Sequence, residues 1–179
     1  AQQAVRHVIG LMDCLSESAV QSHPHAFSPR EAPSNPPFDL TRLMNILDKI
    51  MKPRSIAVVG ASTKQHTIGS DIMKRLREYG YAGPVYPVNP KGGVIEGLPA
   101  YATVLDIPGE VDLAVIIVNA RFVLQTIDQC HEKGIKGLCV ISAGFKETGT
   151  EGARLEAELL ERVRRYGMRC VGPNCLGVV

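Results

Sequence analysis

The stretch Ser55–Gly69, SIAVVGASTKQHTIG, decides how this chain reads. Four apolar residues, Ile56-Ala57-Val58-Val59, run directly into Gly60-Ala61-Ser62. A polar loop follows, and Ile68-Gly69 opens a segment with helical apolar spacing at Ile68, Ile72, Leu76 and Tyr79. A buried strand that ends in small residues and returns as a helix presents bare backbone N–H groups and a helix N-terminus, which together suit a phosphate. The spacing GxGxxG is absent and the loop is longer than the dinucleotide fingerprint allows. The identity of the phosphate ligand therefore depends on the strand ends that follow.

Outward from this stretch the alternation is regular. Strand-like runs fall at 55–60, 84–88, 113–118, 137–142 and 169–172, and helical periods fit 68–79, 120–133 and 151–166. Thr148 followed by Glu151 has the spacing of a capping box for the last of these helices. The run Leu113–Val118 is apolar throughout, as expected of a strand covered on both faces of a parallel sheet. Strand–helix alternation of this kind predicts an α/β fold, a doubly wound and mainly parallel sheet with right-handed crossovers.

The amino-terminal part reads differently. Residues 1–20 place Ala1, Ala4, Val5, Val8, Met12, Leu15 and Ala19 at helical spacing, and residues 21–38 hold five prolines, as an extended linker does. Asp39 or Thr41 is positioned to cap a short helix through Ile50, which Lys52-Pro53 ends. The expected division is a helical extension with a Pro-rich linker over 1–40 and a folded domain over 41–179. Because the first residue is Ala1 rather than Met, the chain reads as a processed or excised piece.

Composition removes several classes. The 179 residues carry a formal charge of +2, too balanced for a nucleic-acid footprint. No run of eighteen apolar residues could span a membrane, and no secretory signal opens the chain. Five cysteines without a CxxC fit reduced thiols and a cytoplasmic location better than a disulfide framework. Trp is absent, which argues against a base-stacking platform. His23 and His25 gather no further metal ligands in sequence, so no metal is expected.

In an open parallel sheet, ligands sit beyond the carboxyl ends of the strands. Five such ends can be read: Gly60-Ala61-Ser62, Asn89-Pro90-Lys91, Val118-Asn119-Ala120, Ala143-Gly144-Phe145, and Gly172-Pro173-Asn174-Cys175. The second discriminates best. An NAD site wants an acid there for the ribose hydroxyl, and this chain offers Lys91, which attracts an additional ribose phosphate. NADP carries one at the 2′ position and coenzyme A at the 3′ position.

The order VVGAS, VYPVNPK, GLPAYATVLDIPGEVDLAVIIV, VISAGFKE and CVGPNCLGVV resembles the CoA-binding domain of NDP-forming acyl-CoA synthetases, which is similar to the amino-terminal part of the succinyl-CoA synthetase alpha subunit. The resemblance runs from about Leu43 to Val179. It implies a Rossmann-like domain with coenzyme A along the strand ends. Carried over by position, Gly60, Ala61, Ser62, Ile68 and Gly69 would line the CoA phosphates, with Asn89, Pro90 and Lys91 beside the nucleotide. Val118 and Asn119 would flank the adenine or pantetheine path, and Ala143, Gly144, Phe145 and Asn174 would face the thiol end. Catalysis in that family runs through a phosphohistidine on a downstream domain and an ATP-grasp domain, neither of which is expected before Val179. The resemblance thus implies a module that binds CoA and has no catalytic residue of its own, with those domains as partners. A homo-oligomer through the amino-terminal helix is a further expectation. Two other readings compete: a CoA-binding domain that senses acyl-CoA, alone or joined to an acetyltransferase, and an NADP-dependent oxidoreductase.

Overall fold

The structure, a computed structural model, describes residues 40–175. The expected helix over 1–20 and the linker over 21–38 lie outside the described residues, as does Asp39. The chain folds as α1 (Leu40–Met51), β1 (Ile56–Val59), α2 (Ile68–Glu78), β2 (Val85–Val88), the hairpin β3 (Val94–Ile95) and β4 (Leu98–Pro99), β5 (Leu113–Ile116), α3 (Ala120–Lys133), β6 (Gly137–Val140), α4 (Thr150–Arg165) and β7 (Arg169–Val171). Five strands form one sheet in the order β2-β1-β5-β6-β7, and every pairing is parallel. This is the doubly wound, Rossmann-like α/β sheet that the sequence predicts. The chain turns back at β1, so the switch point lies between β1 and β5.

Alternation along the strands sorts the core into two layers. Ile56, Val58, Leu113, Val115 and Cys139 face α2, which contributes Ile72, Met73 and Leu76, while Ile50 of α1 packs against the same layer. Ala57, Val59, Ala114, Ile116, Leu138 and Val140 face the opposite way, onto Val123, Ile127 and Cys130 of α3 and Leu159 and Val163 of α4. Each side chain fully withdrawn from water contributes about 1.5–3 kcal/mol, so the uniformly apolar β1, β5 and β6 anchor the fold. Cys139 behaves as one of these apolar side chains.

The capping box lies elsewhere than the sequence spacing places it. Gly149 precedes α4 and no side chain caps that helix. The Thr148 hydroxyl donates instead to the Phe145 carbonyl at 2.8 Å, within the 3-10 turn Lys146–Thr148. Capping boxes form instead at α2, where Thr67 and Ser70 satisfy each other's backbone N–H groups, and at the 3-10 turn Val104–Asp106, between Thr103 and Asp106.

The amino ends of the strands carry a stabilising ion cluster. Asp112, 4 % exposed, accepts from the Arg54 backbone N–H at 3.0 Å and Nε at 3.1 Å, and from the Lys49 ammonium. These contacts tie α1 to the sheet. Burial pushes the Asp112 carboxyl up, but the Arg54 and Lys49 donors outweigh it and hold the group below the usual carboxylate range. A depressed pKa contributes stability that is present above the unfolded value, near 4, and is lost as pH falls through the folded value. Asp112→Asn is therefore expected to lower stability by about 2 kcal/mol at pH 7. In urea unfolding, the gap from wild type should shrink when the titration is repeated at pH 3.

Candidate ligand-binding site

The carboxyl ends of the five strands meet in a continuous rim. Gly60 ends β1 with φ +95° and donates its N–H to the Val88 carbonyl at 3.0 Å, which carries the β1–β2 pairing one step past the strands. A Cβ at Gly60 would stand 2.9 Å from the Ile117 carbonyl, so the first loop also abuts the end of β5. Positive φ and this close approach together require glycine there. Gly69 is packed even more tightly, since a Cβ on it would lie 2.3 Å from the Gly60 carbonyl oxygen. The first turn of α2 thus rests directly on the small-residue loop, and its N-terminus favours a phosphate by ~0.3–1 kcal/mol.

The second loop is fastened to the first by a side chain. Asn89 donates Nδ2–H to the Ala61 carbonyl at 2.8 Å and accepts the Lys91 N–H on Oδ1 at 2.9 Å. Pro90 and Lys91 are exposed beside it. At the third strand end, Val118 is half-buried against the α3–α4 side of the core, and Asn119 caps α3 by accepting the Arg121 N–H at 3.2 Å. The fourth loop closes on the third, because a Cβ at Gly144 would come within 2.9 Å of the Ala120 methyl. The Asn174 N–H reaches the Ser142 carbonyl at 3.0 Å and fixes the fifth loop to the fourth.

The fold therefore gathers all fourteen residues expected from the sequence along one edge of the sheet, with different exposures. Ser62, Ile68, Ala143 and Asn174 reach the surface or its margin, while Ala61 is buried beneath the loop. Phe145 departs from its implied orientation. Its ring is fully buried in the core, so only its backbone reaches that edge of the sheet. In that loop the Glu147 carboxylate accepts the Gly144 N–H at 2.6 Å, and the Gly144, Glu147 and Phe145 N–H groups together hold it below the usual carboxylate range.

Two clefts border the rim. One, of about 500 Å³, runs along α2 to the β3–β4 hairpin and includes Thr63, Gln65, His66 and Lys74. The other, of about 310 Å³, lies between the starts of α3 and α4 and includes Arg121, Gly144 and Arg154. The polar loop 63–66, which follows the first strand end, gives the first cleft Thr63, Gln65 and His66. His66 is held at φ +60° within it. No disulfide joins Cys130, Cys139, Cys170 and Cys175. Burial pushes the Cys130 and Cys170 thiols up to about 12, the opposite of an activated nucleophile. No group of three or more His, Cys, Asp or Glu side chains suited to a metal occurs among the described residues. None of their helices is long and apolar enough to cross a membrane.

A parallel sheet with small residues and a helix N-terminus at its switch point, and a lysine beyond the neighbouring strand β2, has the form of a nucleotide-type ligand domain. Residues 54–179 match the family described as CoA binding domain, and the chain belongs to that family. Over 134 residues it is 51 % identical to the alpha subunit of the ADP-forming acetate–CoA ligase II of Pyrococcus furiosus, covering 75 % of this chain and 29 % of that subunit. The solved structure of the dinucleotide forming acetyl-coenzyme A synthetase 1 of Ca. Korarchaeum cryptofilum, in complex with phosphate and ADP, superposes with a TM-score of 0.69 at 47 % identity, over 73 % of this chain and 28 % of that one. A hypothetical protein from Pyrococcus horikoshii matches with a TM-score of 0.58 at 28 % identity, over 82 % of this chain and 94 % of that one. The chain thus spans less than a third of the two ligases.

Proposed function

We propose that the chain binds coenzyme A across the β1–β5 switch point and serves as the CoA-binding module of an NDP-forming, specifically ADP-forming, acyl-CoA synthetase. The observation that carries this reading is the family match, over residues 54–179, to a domain whose five strand ends form one connected rim. In this reading the CoA diphosphate lies over Gly60–Ser62 and the first turn of α2. The adenosine 3′-phosphate meets Lys91, and pantetheine passes Val118–Asn119 toward Ala143–Gly144 and Asn174. The complete enzyme would convert acyl-CoA, nucleoside diphosphate and phosphate into free acid, CoA and nucleoside triphosphate. Phosphohistidine and ATP-grasp domains would supply the phosphoryl chemistry, so the chain alone would bind CoA without turnover.

Relatives named for acetate, 4-hydroxybutyrate and trans-feruloyl-CoA share this segment at 51, 42 and 38 % identity. That range of acids supports placing acyl selection outside it. We also infer the division at residue 40, an amino-terminal helix available for self-association, and a cytoplasmic setting, in which thiols stay reduced. A second reading, a CoA-binding domain that stands alone, is favoured by the Pyrococcus horikoshii protein, of which this chain covers 94 %.

Thermal unfolding tests the ligand. CoA at a hundredfold excess over its Kd is expected to add about 2.7 kcal/mol, which raises Tm by roughly 8 °C for a domain of this size. NADP at the same concentration should leave Tm unchanged. A shift with NADP and none with CoA would reverse the assignment to an oxidoreductase.

A further inference from the structure

We propose that Asn89 is a positioning residue: it sets the distance between the two loops that would hold the two phosphate-bearing ends of CoA's nucleotide. This inference rests on the CoA reading above. All four polar groups of Asn89 are engaged within the protein. Its N–H donates to the Tyr101 carbonyl at 2.9 Å, and its carbonyl accepts the Gly92 N–H at 2.8 Å. Its side chain bridges the Ala61 carbonyl and the Lys91 N–H, at 2.8 and 2.9 Å. The two main-chain bonds build the turn that carries Lys91 and survive truncation of the side chain. The two side-chain bonds do something separate, since Ala61 and Asn89 are 28 residues apart and sit at the ends of different strands. The amide is thus a strut between the diphosphate loop and the lysine loop.

A strut of this kind acts on recognition through Lys91. Lys91 is exposed, and among the described residues its ammonium makes no hydrogen bond or ion pair. Its useful position is therefore set by its backbone, and that backbone is pinned by Asn89 Oδ1. With both side-chain bonds lost, only the Gly60–Val88 bond of the sheet still ties the two loops, and the turn beyond Asn89 that carries Lys91 loses its fixed offset from Ala61, so the 3′-phosphate and diphosphate are no longer met at matched spacing. Shared contacts with the remainder of CoA are affected less, because they belong to the ends of β1, β5 and β6.

The test measures Kd by titration calorimetry for CoA and for 3′-dephospho-CoA, on the wild-type chain, Lys91→Ala, Asn89→Ala and the double variant. Wild type is expected to prefer CoA by about tenfold or more. Lys91→Ala should remove most of that preference. Asn89→Ala should remove a comparable part, weakening CoA more than dephospho-CoA, and the double variant should match Lys91→Ala in that preference, a non-additive cycle. A preference unchanged by Asn89→Ala, equal weakening of both ligands, or additive losses would overturn the inference while leaving CoA binding intact. A wild-type chain without CoA affinity would overturn the underlying reading as well. Urea unfolding accompanies each variant. If Asn89→Ala does not fold, Asn89→Ser, which loses the reach to Ala61 without adding charge, is read by the same preference and the same outcomes.

Discussion

Gly69→Ala is expected to weaken CoA binding by about a hundredfold, although by helix propensity alone the substitution stabilises α2 by about 1 kcal/mol. The added Cβ would stand 2.3 Å from the Gly60 carbonyl oxygen and 3.3 Å from the Ala61 Cα, both main-chain atoms. Neither can swing aside as a side-chain tip could. Gly60 is held by Val88 and Ala61 by Asn89, so relief must come from lifting α2 off the loop. Overpacking of this kind costs about 1–3 kcal/mol, which leaves a modest net loss of stability. The effect on binding is larger because the proposed site holds the diphosphate with the loop and the helix N-terminus at one fixed separation. Calorimetric titration with CoA, paired with urea unfolding, separates the two effects. A variant with wild-type Kd would show that the α2–loop contact is not part of the site.

Gly152→Ala is expected to be the most destabilising single methyl in the domain. The new Cβ would fall 1.7 Å from the Phe145 carbonyl oxygen, 2.4 Å from its carbon and 2.3 Å from the Thr148 hydroxyl. The carbonyl cannot retreat independently, because the Phe145 ring is fully buried between the sheet and α4. Either the ring leaves the core or the first turn of α4 is displaced. A loss of about 3 kcal/mol or more follows, with Tm lower by roughly 10 °C. The shift also moves Ala143-Gly144, so CoA affinity should fall even under conditions where the variant remains folded. Wild-type Tm for this variant would contradict the packing described for the β6–α4 loop.

What could be read from the sequence follows from what each feature depends on. The strands are legible because burial on both faces leaves Ile56–Val59 and Leu113–Ile116 with no polar positions. The rim is legible because four of the five strand ends are marked by small or turn-forming residues close in sequence to the strand itself. The hairpin β3–β4 is not, since two-residue strands are too short for alternation to register. Asp112 gives no local sign of its role, because its partners Lys49 and Arg54 are 63 and 58 residues away. The strut at Asn89 is hidden for the same reason. Thr148–Glu151 shows the opposite failure. Its spacing suits a cap, but the preceding 3-10 turn takes the threonine hydroxyl and the helix begins after Gly149. Phe145 likewise sits in a loop that reaches the ligand edge, yet its size draws the ring into the core.

The most direct measurement is a crystal structure of the chain grown with coenzyme A. It should show the diphosphate over Gly60–Ser62 at the start of α2, the 3′-phosphate within reach of Lys91, and the pantetheine arm running toward Gly144. Density for CoA on another face of the sheet, or an unoccupied rim at saturating CoA, would contradict the central claim.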